Sequence, residues 1–200
     1  LQNCLYEWEI IDAKGKSVLH KEGSFMSNDI ELQGEMNQVM LWWPHDQGIP
    51  YLYSMDFKLK DATGKLIDQK NSNIGFRKVE LVTNEGGWDY PKVFPKTRSI
   101  PPIQIEINGR KIFAKGTNWV NPEIFPGIIT DARYNELIDK AIDANFNILR
   151  VWGGGIINKD AFYNLCDEKG ILVWQEFPLA CNNYPGTPPD LQVYEDDSEP

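Results

Sequence analysis

Three segments of the chain end in tryptophan beside polar or charged residues. They are Asn118-Trp119, Arg150-Val151-Trp152 with Gly153-Gly154-Gly155 behind it, and Trp174-Gln175-Glu176-Phe177. Flat indole faces suit the C–H faces of sugars, while Asn, Gln, Arg and Glu bind hydroxyls, so the set points to carbohydrate chemistry. The competing reading is that these indoles fill a core. Arg150 lies in an apolar run, where a guanidinium needs a carboxylate partner. That pairing is either a structural ion pair or a device that keeps a catalytic carboxylate ionised. Glu176 is the local candidate for an acid or base. Retaining glycoside hydrolysis, however, uses two carboxyl groups about 5–5.5 Å apart. No second acid ends a predicted strand, since Glu123 falls in a loop and Asp131 at a helix start. The visible set is incomplete.

Other chemistries fit less well. Gly153-Gly154-Gly155 followed by a helix, a strand and Glu176 imitates a dinucleotide-binding turn, but Asn158 stands at the third glycine position and bulky Trp152 precedes the turn. The alternative is that three glycines let the chain leave a strand sharply beside a crowded pocket. Cys4, Cys166 and Cys181 lack zinc-ligand spacing, and His20 and His45 lie far from the last two, so neither a metal nor a Ser-His-Asp triad is expected. A net charge of −9 over 200 residues disfavours nucleic acid and anionic membranes as partners. No apolar run reaches the roughly 18–20 residues of a membrane span, and no signal-peptide pattern opens the sequence.

These residues need elements to hold them. Up to about Val82 the pattern is β: Leu5–Ile10, Val18–Met26, Met36–Trp43, Tyr51–Leu59 and Lys65–Ile74, with turns at Asp12-Ala13-Lys14-Gly15-Lys16 and Asp61-Ala62-Thr63-Gly64. Short strands at this spacing predict an antiparallel sandwich. Residues 84–102, with four prolines, read as an irregular linker. Ile103–Ile107, Asn108-Gly109 and Lys111–Ala114 then make a hairpin signal, because Asn-Gly accepts the positive φ of a type I′ turn. Beyond it, Thr130 caps a helix whose apolar stripe runs from Tyr134 to Phe146. A strand over 147–152, a helix over 160–169 ended by Gly170, and a strand over 171–175 follow. This β–α–β–α–β order with near-continuous apolar strands predicts a parallel sheet buried on both faces. A complete (β/α)₈ barrel takes about 250 residues, more than the chain holds.

The ordered strings Lys115-Gly116-Thr117-Asn118-Trp119, Asn145 to Gly155, Ala161 to Glu168 and Leu172 to Phe177 resemble the β-mannosidase branch of glycoside hydrolase family 2. Trp42-Trp43-Pro44, Pro50-Tyr51-Leu52-Tyr53 and Gly75 to Leu81 resemble that family's immunoglobulin-like domain. The resemblance runs from about Trp42 to Pro185, and Arg-Val-Trp-Gly-Gly-Gly points to mannosidases within it.

The resemblance implies an Ig-like β-sandwich over residues 1–83, a Pro-rich linker over 84–102, and the first part of a TIM (β/α)₈ barrel, about three β/α units, over 103–200. It implies a retaining exo-glycosidase acting on terminal non-reducing β-D-mannosides, with no cofactor. A β-galactosidase- or β-glucuronidase-type enzyme and a glycan-binding module are the alternatives. The family's acid/base and nucleophile glutamates match nothing here: the Asn-Glu pairs, Asn135-Glu136 and Asn84-Glu85, lie in the first helix and the linker. The chain by itself is therefore expected to be inactive. By the same resemblance, Asn118 and Trp119 line the sugar pocket, Arg150 braces the nucleophile and Trp152 lies near the reacting sugar. Trp174 and Glu176 support the pocket, with Glu176 one methylene longer than the family's frequent Asp. A glycoside is the expected substrate of the parent enzyme, in an extracytoplasmic or lysosomal setting by family. The open barrel edge is expected to promote self-association.

Overall fold

The computed structural model describes residues 4–25, 31–89 and 101–180, which form a β-rich structure with two α-helices. It divides into two compact units, Leu1–Phe113 and Ala114–Pro200. Among the described residues no helix is long and apolar enough to cross a membrane.

In the first unit, β1 (Leu5–Ile11), β2 (Ser17–Ser24), β3 (Tyr53–Lys60) and β4 (Leu66–Ile74) form an antiparallel sheet in the order β2-β1-β3-β4. Its two tight turns share one device. Asp12 Oδ1 accepts the N–H groups of Lys14 and Lys16, and Asp61 Oδ1 those of Thr63 and Lys65, all at 2.8–3.0 Å. Gly15 and Gly64 supply the left-handed residue, with φ of 80° and 87°. Alternation then sorts the faces. On one, Tyr6 stacks on Phe57 and meets Phe25 edge-on, beside buried Ile10. On the other, register sets Glu7 between Glu22 and Lys58, and Glu9 between His20 and Asp56.

The expected strand over Met36–Trp43 is absent. Gln38 takes a left-handed φ of 57°, which breaks the extended run, and only an isolated bridge joins Trp42 to Pro50. Trp42 is instead an anchor: fully buried, its N–H donates to Phe76 O at 2.9 Å and the Arg77 guanidinium lies 4.3 Å above its ring.

A second antiparallel sheet joins β5 (Val79–Thr83), β6 (Ile103–Ile107) and β7 (Arg110–Ile112) in that order. The Asn108-Gly109 turn has the expected positive φ at both residues, 51° and 80°. The hairpin, expected to open the second domain, belongs instead with the first unit. Val79 and Leu81 pair with Ile107 and Ile105, and Asn108 fastens the turn by accepting from Lys78 N at 2.8 Å and donating to Trp42 O at 3.0 Å. Of the expected linker, Asn84 bonds Pro102, Pro101 and Lys111, while residues 90–100 lie outside the described set, as do Cys181 and the acidic tail.

The second unit holds a parallel sheet of β8 (Gly116–Trp119), β9 (Ile148–Val151) and β10 (Leu172–Gln175) in the order β10-β9-β8, with α1 (Asp131–Asp143) and α2 (Asp160–Lys169) between its strands. Thr130 Oγ1 accepts from Arg133 N at 3.2 Å, and Gly170 ends α2 at φ 74°, as the capping residues predict. The expectation of two buried faces fails. Burial alternates along β9, with Leu149 and Val151 buried and Ile148 and Arg150 only half so. Both helices contribute to one core with Trp119, Tyr134, Ile138, Phe162, Cys166 and Ile171. Asn147, wholly buried, locks the start of the sheet: its Oδ1 accepts from Lys115 N at 2.8 Å, its N–H donates to Lys115 O and its carbonyl accepts from Leu172 N.

Candidate active-site face

The face of the parallel sheet opposite the helices carries the chemistry. Register places Asn118 beside Arg150 and Arg150 beside Trp174, one side chain from each strand in a lateral row. Residues in register point the same way, so their side chains share this face. Arg150 is the hub. Its Nε donates to Glu176 Oε1 at 2.7 Å, its Nη2 pairs with the same oxygen, and its Nη1 donates to Asn118 Oδ1 at 2.9 Å. A guanidinium has five N–H donors, so two remain for a ligand or a further acid.

Glu176 lies one residue past β10 and is anchored at both oxygens. Oε2 accepts the N–H of Gly153 at 2.9 Å, while the backbone N–H of Glu176 donates to Val151 O at 3.1 Å. The Gly153 N–H and, after it, the Arg150 guanidinium hold its carboxyl below the ordinary glutamate value of 4.5 despite some desolvation. A carboxylate so engaged is ionised at neutral pH and carries no proton to give. Both carboxylate oxygens accept hydrogen bonds, an arrangement that disfavours Glu176 as a general acid. Its arrangement suits orienting Arg150 and fixing the start of the glycine loop.

None of the three loop glycines has positive φ, so what a side chain would meet there is close neighbours, backbone at Gly153 and side chains first at Gly154 and Gly155. A Cβ on Gly153 would lie 2.6 Å from Phe177 O, and one on Gly154 would run 2.1 Å from the Trp152 indole folded over it. One on Gly155 would stand 3.0 Å from Asn121 Oδ1. Three of the loop amides are already engaged: Gly153 with Glu176, Gly155 with Trp152 O, and Ile156 with Asn121 Oδ1 at 3.2 Å. No cradle of free N–H groups is left there for a dinucleotide phosphate, so the nucleotide reading loses its physical basis.

The indoles divide. Trp174 is 54% exposed at the end of the polar row, and Trp152 is half-buried over Gly154. Trp119 differs: it is 8% exposed, packs 4.7 Å from the Phe162 ring and 6.3 Å from Tyr134, and donates from Nε1 to Asn158 Oδ1 at 3.2 Å. The structure thus gathers Asn118, Arg150, Trp174 and Glu176 on one side and turns Trp119 to the other. Its position beside Val151 in the register requires this, since Val151 faces the helices.

Three asparagines with positioning roles escape the sequence signals. Asn121 holds the glycine loop, Asn147 the strand starts, and buried Asn158 accepts from both Trp119 and Tyr134. Only the position of Asn158 before α2 hints at a role, as a cap, and the cap proves to be Lys159 with no side-chain bond. Glu123 is bound by Arg133 at 3.0 Å. Buried Cys166 has its thiol pushed up to about 12 by desolvation and is unreactive.

The family described as Glycosyl hydrolases family 2 matches residues 2–77. The β-mannosidase of Mus musculus is 39% identical over 174 residues, 81% of this chain and 19% of that protein. The β-mannosidase of Capra hircus is 40% identical over 147 residues, 74% of this chain and 16% of that protein. The crystal structure of β-D-mannosidase from Dictyoglomus thermophilum superposes with a TM-score of 0.84 at 31% identity, over 98% of this chain and 23% of that one. The chain belongs to glycoside hydrolase family 2. Curated relatives it matches are β-mannosidases, and it spans about a fifth of their length. A β-glucuronidase from Parabacteroides merdae, 20% identical with a TM-score of 0.67, shares the fold of this family 2 chain.

Proposed function

We propose that this chain is part of a retaining exo-glycosidase that hydrolyses terminal non-reducing β-D-mannosides. In this reading, residues 1–83 are an Ig-like β-sandwich, 84–102 a linker, and 103–200 the N-terminal portion of a (β/α)₈ barrel, whose first strand follows a hairpin that packs with the first unit. The observation that carries it is the in-register row Asn118, Arg150 and Trp174 on the open face of a parallel sheet, with Arg150 clamped by Glu176. Such a row offers an amide and a fixed cation for hydroxyls or a neighbouring carboxylate, and an indole face for the sugar ring.

The two catalytic carboxyl groups are supplied by parts of the parent enzyme outside these 200 residues. Arg150 is a positioning residue, whose two remaining donors face the nucleophile and keep it ionised. Glu176 acts through Arg150, and Trp152 and Trp174 border the sugar. The Trp119 ring supports the wall from behind.

The chain alone is expected to show no turnover of an aryl β-mannoside, and the parent enzyme to prefer that substrate over the aryl β-galactoside and β-glucuronide. Arg150→Lys in the parent enzyme should lower kcat with a smaller change in KM, because one ammonium cannot hold three directions at once. Turnover by the isolated chain that is lost in Glu176→Gln would overturn the assignment of roles. Parent preference for a galactoside or glucuronide would overturn the substrate.

A further inference from the structure

The solvent face of the four-stranded sheet gathers residues for which the sugar site has no use. Glu9 and His20 are direct cross-strand partners, and Glu7 lies two residues before Glu9 on the same face. One carboxylate oxygen from each glutamate and one ring nitrogen of His20 all lie within 4.8 Å of one another. We propose that Glu7, Glu9 and His20 form a binding site for a divalent transition-metal ion, with zinc the best match. The spacing of the sequence gives no hint of it, because the three ligands come from two strands and meet only through register.

The chemistry fits on three counts. An imidazole with two carboxylates is a borderline N/O donor set that favours zinc over calcium or magnesium, which take oxygen. Tetrahedral zinc with bonds of about 2.0–2.1 Å places its ligand atoms about 3.3 Å apart, so side-chain rotations of an ångström or so close the site without moving the strands. The His20 side chain is 46% exposed and that of Glu7 is 22% exposed, which leaves the site open to entry and room for water as the fourth ligand.

Charge decides whether a cation is welcome. Register puts Glu7, Glu9, Glu22 and Asp56 on this face with Lys58 and Lys60. Lys58 contacts both Glu7 and Asp56, and Lys60 contacts Glu7. Four carboxylates against two ammonium groups leave a deficit of two positive charges, the charge of one divalent ion. The lysines approach Glu7 from β3, while His20 and Glu9 lie toward β2 and along β1. Each carboxylate oxygen keeps a second lone-pair direction.

The test uses the metal-stripped chain and zinc chloride alone. Competition with a chromophoric chelator should give one site per chain, and both His20→Ala and Glu9→Gln should weaken it at least tenfold, with far-UV circular dichroism unchanged. The chain has two histidines, so proton NMR of the unmutated protein reads the site directly: zinc should shift the ring signals of His20 and leave those of His45 in place. Binding that persists undiminished in His20→Ala lies elsewhere and overturns the proposal, as does a His20 signal that stays put at millimolar zinc.

Discussion

Replacing Trp119 by Phe separates the two jobs an indole could have in this chain. If Trp119 lined a sugar pocket, the change would spare stability and damage binding. The structure requires the reverse. Phenylalanine has three fewer side-chain heavy atoms, and at about 0.8 kcal/mol per buried carbon their loss costs about 2 kcal/mol. The hydrogen bond from Nε1 to Asn158 Oδ1 at 3.2 Å is lost too. Asn158, 6% exposed, keeps only the weaker 3.4 Å contact from Tyr134 at that oxygen, which adds about 1 kcal/mol. The total of about 3 kcal/mol corresponds to a fall in Tm of about 12–24 °C for a unit of this size. Calorimetry on the whole chain, following the transition of the second unit, measures it. Trp174→Phe serves as the comparison: that indole is 54% exposed, so its melting should move by no more than about 0.5 kcal/mol. A Trp119→Phe protein that melts with the parent, or that melts no earlier than Trp174→Phe, refutes the assignment of Trp119 to the core.

Three more outcomes follow from local geometry. Glu176 has its carboxyl held below 4.5, so its share of stability is complete above that pH and is lost as pH falls through the lower folded value. Glu176→Gln should therefore flatten the acid limb of a plot of Tm against pH, and an unchanged acid limb would rule out the clamp. Gly116→Ala places a Cβ 1.8 Å from Ile148 O, which parts β8 from β9; limited proteolysis should cut the second unit rapidly, and resistance equal to the parent's would contradict the register. Asn108→Ala forces a left-handed φ of 51° on alanine and removes the bonds to Lys78 and Trp42, at a cost of about 2–3 kcal/mol in urea melts. Asn108→Gly should cost less, since it relieves the φ penalty.

Local chemistry was readable in the sequence wherever one residue decides the outcome. The Asp12 and Asp61 turns, the Asn108-Gly109 turn, the Thr130 cap and the Gly170 stop all need a particular residue type within a few positions, and all form as expected. Met36–Trp43 misled because only Trp42 is a buried anchor, tied to Phe76 rather than to a ladder, while Met40 and Leu41 lie exposed. The candidate site was readable as a set but not as a geometry. Asn118 and Trp119 are neighbours in the chain, yet strand alternation sends one to Arg150 and the other to Phe162. The apolar look of β9 suggested two covered faces because an arginine paired with glutamate is compatible with partial burial, and composition does not say which neighbour covers which side. Cross-strand partners such as His20 and Glu9 were beyond reach, because pairing is fixed by register and not by distance along the chain.

Asn147 carries a consequence for how the chain avoids error. Parallel strands of four residues offer few ladder bonds, and β8 could slide by one position against β9 at little cost to the backbone. Such a slip would exchange the two faces, thrusting Asn118 among the aromatic rings of the helices and lifting Trp119 into the open. A wholly buried amide that recognises the N–H of Lys115, in a residue whose own N–H donates to the Lys115 carbonyl, accepts one alignment and leaves its oxygen unsatisfied in the others. Asn147 is thus a proofreader of pairing, set at the end of the sheet farthest from the chemistry. A substitution there would be felt first as heterogeneity between correctly and incorrectly aligned molecules.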